Sequence, residues 1–355
     1  MSAAGPAEAA WYAEPRGEVS AALADCLRHG REAPPGLDRA AGGPAVDPWG
    51  DDLHFALYLL YELHYRGLDG VSDDREWDPG LLRVRAALEQ RFLAALREAV
   101  PSPRTVEESF GPLLTTPADR SGGVSGRMAE TGGLWQAREY AVLRSPYHLK
   151  EADPHAWAIP RLTGRAKAAF VAIEYDEFGA GRAEAVHARL FADLMEDLGL
   201  DAGYNRYLPA VPAAALATVN LMSLFGLHRA WRAALVGHFA CVETTSSPGS
   251  ARMVDALTAC GAGPAAIRFY AEHVTADAVH EQIVRREVIG GLLEEDPALE
   301  PRIAFGCDAT VLLEDRLADH ILTAWANGRS ALRHPLPQPV AARGPSPEEE
   351  PSCAH

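Results

Sequence analysis

Apolar residues along this chain recur at intervals of three and four and almost nowhere alternate with polar ones. Over 51–65, Leu53, Ala56, Leu57, Leu60 and Leu63 mark one face of a buried helix. Over about 79–100, Leu81, Leu82, Val84, Leu88 and Phe92 do the same, and Pro101 and Pro103 mark the end. The same periodicity predicts helices near 16–29, 131–149, 156–177, 183–199, 212–243, 251–261, 264–293 and 308–327. With no period-two stretch of a strand's length, the expected fold class is all-α. Runs rich in Gly, Pro and Ala at 32–36 and 41–44 predict a flexible N-terminal arm over 1–48, built around one helix. The Pro-rich, acidic tail over 335–355 is expected to be disordered.

Composition narrows the partners. The 355 residues are 48% hydrophobic and 23% charged, as in a globular protein large enough to bury a sizeable core. A net charge of −16 speaks against nucleic acid or an anionic membrane, both of which need a basic footprint. The longest apolar stretch, 211–227, is interrupted by Pro212, Asn220 and Ser223 and is too short to span a bilayer. Five scattered cysteines, Cys26, Cys241, Cys260, Cys307 and Cys353, form no CxxC pair and read as reduced thiols. No basic segment followed by an apolar one opens the sequence, so the expected location is cytoplasmic.

The candidate chemistry centres on His273, Asp277 and His280, a His-x3-Asp-x2-His run in a helical segment. At about 100° per residue, these three side chains leave one face within roughly 60° of one another. Two imidazoles and a carboxylate on one stripe suit iron, manganese or zinc. Their spread along the axis, roughly 10 Å, is long for one ion. It suits two ions about 3.5–4 Å apart. A polar helix face carrying these residues by chance is the plain alternative.

Upstream carboxylates and a third imidazole strengthen the metal reading. Glu177 precedes His187 by ten residues; on one straight helix they would lie about 80° and 15 Å apart. Gly179 and Gly181 lie between them and allow a break that closes the gap. Glu184 is a rival, since Glu184-x2-His187 is the pairing of ferritin-like bundles, but no second copy is found and Glu177 is preferred. Asp176 reads as a solvated or capping group. Glu243 ends the apolar run of 216–242 and is a candidate ligand, with a solvent-facing helix end as the alternative. Glu151 is a candidate extra carboxylate. His238 reads as a core histidine, His155 as a helix-start residue, and His148 and His228 have less support.

Glu177, His187, Glu243 and then His273-x3-Asp277-x2-His280 stand in an order that resembles the haem-oxygenase-like diiron oxidases and oxygenases. Local text at 150–155, 176–182 and 277–281 resembles an actinobacterial group called iron-containing redox enzymes. The likeness covers roughly 130–330. It implies a haem-oxygenase-like helical bundle over 126–334, with a helical extension over 49–125. It implies two iron ions, with manganese as a substitute, held by Glu177, His187, Glu243, His273, Asp277 and His280. Glu151 would be the additional carboxylate of N-oxygenating members. Glu177 and His187 would share one iron, Asp277 or Glu243 would bridge, and His273, His280 and Glu151 would complete the pair, an assignment the sequence leaves open. The implied activity is O2-dependent oxidation of a small amine, amino acid or fatty acid, by N-oxygenation, C–C cleavage or desaturation. An electron donor and a homodimer fit the resemblance; nucleic acid and membrane partners do not. The alternatives are a non-catalytic iron-binding protein and a haem-binding protein of the same fold.

Overall fold

A computed structural model describes residues 14–100, 104–115 and 123–336 of the chain. Residues 1–13 of the arm and 337–355 of the tail lie outside the described residues. Among the described residues there is no β-strand. The helices run α1 (Glu18–Arg28), α2 (Leu37–Ala41), α3 (Asp51–Glu62), α4 (Pro79–Ala99), α5 (Val106–Leu114), α6 (Gly123–Thr131), α7 (Leu134–His148) and α8 (Asp153–Ala156). They continue with α9 (Gly164–Glu177), α10 (His187–Asp197), α11 (Ala213–Leu227), α12 (Arg232–Ala259), α13 (Pro264–Ile283), α14 (Gly290–Glu295) and α15 (Glu300–Ala326). A π-helical turn, Val284–Ile289, joins α13 to α14. None of these helices is long and apolar enough to cross a membrane.

Local chemistry sets several boundaries. Asp78 caps α4, its Oδ1 accepting from Gly80 N at 2.7 Å and Leu81 N at 3.1 Å, with Pro79 at the first helical position. Thr105 and Glu108 form a reciprocal capping box on α5. The core lies where α12 packs between α13 and α15, with α10 laid on α13 and α3 against α11.

The long helix expected over 212–243 is two helices, and the break and the end both differ from expectation. His228 leaves the helical region (φ −107°, ψ 113°), and Arg161 Nη2 donates to the Leu227 carbonyl at 3.0 Å, pairing a helix-end acceptor. The second helix, α12, does not stop at Glu243. It runs on through Pro248 to Ala259, with Thr244 and Thr245 hydroxyls bonded back to the Ala240 and Cys241 carbonyls. Packing on α13 and α15 outweighs the hydrogen bond that Pro248 cannot donate.

Two glycines bring α12 and α15 into close contact. A Cβ on Gly237 would sit 1.9 Å from the Ile303 carbonyl oxygen, and one on Gly306 would sit 2.0 Å from that of Ala234. Gly237→Ala is therefore expected to force the two backbones apart, at about 1–3 kcal/mol or more. Urea unfolding checks this; an unchanged midpoint would contradict so close a crossing.

The arm is not loose where it is described. Val19, Leu23 and Leu27 of α1 are buried. Asp52 takes the Ser20 and Val19 amides at 2.7 and 3.1 Å, and Arg16 donates to the Val211 and Leu208 carbonyls at 2.7 Å each. The Gly and Pro content read as looseness lies in short connections, while the apolar stripe of α1 packs against α3. The end of α3 is tied to the turn after α7 by a buried ion pair, Lys150 Nζ to Glu62 Oε2 at 2.9 Å.

Candidate metal centre

Each candidate ligand arrives on its own element. Glu177 is the last residue of α9 and His187 the first of α10. Between them Gly179, Ala180 and Gly181 take positive φ (74°, 52° and 81°), which breaks the helix. A Cβ on Gly179 would lie 2.6 Å from the Val186 amide nitrogen. The break brings His187 Nδ1 to 2.8 Å from Glu177 Oε2, closing the gap that a straight helix would leave. Glu184, the ferritin-like rival, is exposed on the connecting turn. Glu243 projects from α12, and His273, Asp277 and His280 from α13, all buried. Glu151 sits in the turn after α7, beside Ala152, which is held at φ 72°.

These side chains converge as two triads. Glu151, His187 and His273 offer ligand atoms within 4.8 Å of one another, as do Glu177, Glu243 and His280. His280 Nδ1 is 3.3 Å from Glu243 Oε2, 3.6 Å from Glu177 Oε1 and 3.8 Å from Asp277 Oδ1. Glu177 thus faces His187 with one oxygen and His280 with the other. The grouping differs from the one sketched from the resemblance: His187 falls with Glu151 and His273, and His273 and His280 fall in different triads.

Glu151 Oε2, His187 Nδ1, Glu243 Oε2, His273 Nε2 and His280 Nδ1 are sealed from solvent and make no aligned hydrogen bond, although several lie at ion-pair distance. Buried polar atoms left this way are costly unless something binds them. Outer partners fix the imidazoles. His273 Nδ1 donates to the Phe269 carbonyl at 2.8 Å, which turns Nε2 inward. His280 Nε2 lies 3.3 Å from Asp176 Oδ2 and donates to it, which turns Nδ1 inward. Asp176 is half-exposed, as a solvated group should be, yet it orients a ligand.

Two participants are missed by sequence reasoning. His148 Nδ1 lies 2.9 Å from Glu151 Oε1, an i, i+3 contact that the spacing alone permits. Glu174, one turn before Glu177 on α9, is buried with both oxygens unpaired. Burial, helped by the charges of Glu177 and Glu243, pushes its carboxyl well above the usual range and keeps it neutral.

Without metal, protons do the neutralising. Burial opposes the charge on His273 but Glu151 and Asp277 outweigh it, raising the imidazole to about 10. His280 is likewise raised to about 9, burial being outweighed by Glu243 and Glu177. Burial, with Asp277 and Glu177 beside it, raises Glu243 to about 8. An imidazole held above its ordinary 6.5 stabilises the fold below that pH and loses the benefit as pH climbs to its folded value. A carboxyl held above its ordinary 4.5 acts in the same direction, since the unfolded chain ionises first. Thermal unfolding of the metal-free chain should therefore show stability falling from about pH 6 to 9, while iron, which displaces these protons, binds more tightly over that window. A melting temperature that rises across it would contradict the assignment.

A cavity of about 420 Å³ opens onto both triads, its lining including Glu151, Glu177, Asp277, His273, Arg144 and Glu314. Arg144 clasps Glu314 with both guanidinium nitrogens, Nη1 at 2.8 Å from Oε1.

The sequence matches the model of the family described as iron-containing redox enzymes over residues 138–315, half of the chain, a span that contains every residue of both triads. It is also similar to a nitrosourea synthase from Streptomyces achromogenes subsp. streptozoticus, with 25% identity over 241 residues, 65% of this chain and 51% of that protein. The chain thus spans about half the length of that curated relative.

Proposed function

The chain belongs to the iron-containing redox enzyme family, and from that premise we propose that it is a non-haem diiron oxidase or oxygenase acting on a small amine, amino acid or fatty acid with O2 as co-substrate. The observation that carries this reading is the pair of buried triads, in which Glu151 Oε2, His187 Nδ1, Glu243 Oε2, His273 Nε2 and His280 Nδ1 have no aligned hydrogen bond. Oxygen-rich, imidazole-containing sets of this kind suit iron, with manganese as a substitute, and neither triad contains a cysteine to favour a softer metal. Glu151, His187 and His273 would hold one ion, Glu177, Glu243 and His280 the other, with Asp277 beside both. Two ferrous ions held there supply the electrons that O2 needs when they are bound.

The protein's own groups do the rest. Phe269 and Asp176 hold His273 and His280 in the tautomers that present a bare nitrogen. His148 donates to Glu151, leaving that carboxylate's second oxygen free. The cavity seats the substrate against the triads. The relative named as a nitrosourea synthase supports chemistry at nitrogen, as does Glu151 in its position as an extra carboxylate.

Oxygen uptake by the anaerobically iron-loaded chain tests the reading. Consumption of O2 that rises with an added amine, amino acid or fatty acid is expected, with no Soret absorption on exposure to haemin. Iron binding with no O2 consumption would leave an iron-binding protein. A Soret band with a single axial histidine would leave a haem protein, against the carboxylates that flank every candidate imidazole.

A further inference from the structure

His155 lies on α8 outside both triads, buried at 1% exposure, its ring 4.8 Å from that of Phe239 and 5.9 Å from that of Tyr147. It nonetheless lines the cavity that opens onto the triads. Its proton position follows from a chain of bonds behind it. Thr310 Oγ1 donates to the Gly306 carbonyl at 2.7 Å, which commits the only hydroxyl proton. Toward His238 Nδ1, 2.8 Å away, Thr310 can then only accept, so His238 carries its proton on Nδ1. Burial depresses His238 to about 4, which leaves it neutral near pH 7 with Nε2 bare. That bare nitrogen stands 3.1 Å from His155 Nε2, so His155 donates to it from Nε2. Burial and the neighbouring His238 hold His155 neutral as well, so its Nδ1 carries a lone pair. Among the described residues nothing bonds to that Nδ1.

We propose that His155 Nδ1 is a hydrogen-bond acceptor for an N–H group of the substrate, so that this cavity selects a primary or secondary amine, amidine or guanidine over a fatty acid. The proposal rests on the reading of the cavity as the substrate chamber and narrows the classes that reading leaves open. A carboxylate or ether oxygen placed at His155 would set acceptor against acceptor, whereas an N–H donor satisfies the one uncommitted polar atom of the ring. His238 and Thr310 are positioning residues: they touch no substrate and fix which nitrogen of His155 is bare.

The test has two arms on the full-length chain. Histidine ¹⁵N spectra of the metal-free protein near pH 7 should show His155 protonated at Nε2 and His238 at Nδ1. Calorimetry of the anaerobically iron-loaded protein compares n-butylammonium, which donates N–H bonds, with n-butyltrimethylammonium, which carries the same charge and donates none. We expect the donor to bind at least tenfold more tightly. His155→Leu should erase that preference, His155→Asn should keep it by placing an amide oxygen near the Nδ1 position, and Thr310→Val should weaken it with rescue by Thr310→Ser. A proton on His155 Nδ1, equal affinity for the two probes, no binding of n-butylammonium, or a His155→Leu protein that keeps the preference overturns the proposal. The tautomer is read without iron, so its failure overturns this inference alone, while a chain that takes up no iron overturns the reading beneath it.

Discussion

Glu177→Ala and Glu243→Ala are each expected to abolish oxygen consumption by the iron-loaded chain. Each removes a carboxylate from the triad that includes His280, and Glu177 also faces His187 in the other triad. The loss should exceed the roughly 10–100-fold that removal of an outer partner of a metal ligand costs. Folding failure is not the expected cause. Helix content of the metal-free variants by circular dichroism, expected at the wild-type level, checks this. Glu184→Ala is the control: exposed on the connecting turn, it should leave iron content and oxygen uptake unchanged. If Glu184→Ala empties the site while Glu177→Ala is silent, the α9–α10 half of the centre is assigned wrongly.

Lys150→Ala is expected to be the most destabilising single substitution. Lys150 and Glu62 are 1% and 0% exposed, and the Tyr204 hydroxyl donates to the same carboxylate. The ammonium also lies 4.7 Å above the Tyr58 ring and 4.3 Å above that of Tyr65. Removing it strands a buried charge, at about 3–5 kcal/mol. That is a large share of the roughly 5–15 kcal/mol by which folded domains are stable. Because this lysine precedes Glu151 in the same turn, iron affinity should fall along with stability. The double variant Glu62→Gln with Lys150→Met keeps an acceptor for Tyr204, removes both charges, and should recover most of the loss. Guanidinium unfolding of the three proteins decides it; a Lys150→Ala midpoint within error of wild type would show that the pair contributes nothing.

Much of the centre is legible in the sequence because its geometry is local. His273, Asp277 and His280 share a helix face by periodicity alone, and the glycines at 179 and 181 announce the break that closes the distance from Glu177 to His187. Glu243 is found, but as the end of a helix, because Thr, Ser, Pro and Gly after it read as a stop; packing of α12 between α13 and α15 overrides that local signal. The arm misleads in the opposite way. Its Gly and Pro residues dominate the composition, while Val19, Leu23 and Leu27 at four-residue spacing carry the packing. What sequence spacing cannot show is pairing across the fold. Lys150 meets Glu62 from 88 residues away, and His155, His238 and Thr310 join three separate helices. The grouping of ligands into triads is hidden for the same reason, since one helix, α13, supplies both.

Iron stoichiometry after anaerobic loading with ferrous ion, followed by removal of excess metal, tests the central claim most directly. Two irons per full-length chain are expected, falling to one or none in Asp277→Ala while helix content by circular dichroism stays at the wild-type level. One iron or none per wild-type chain, or an Asp277→Ala protein that still holds two, would contradict a dinuclear centre built on these triads.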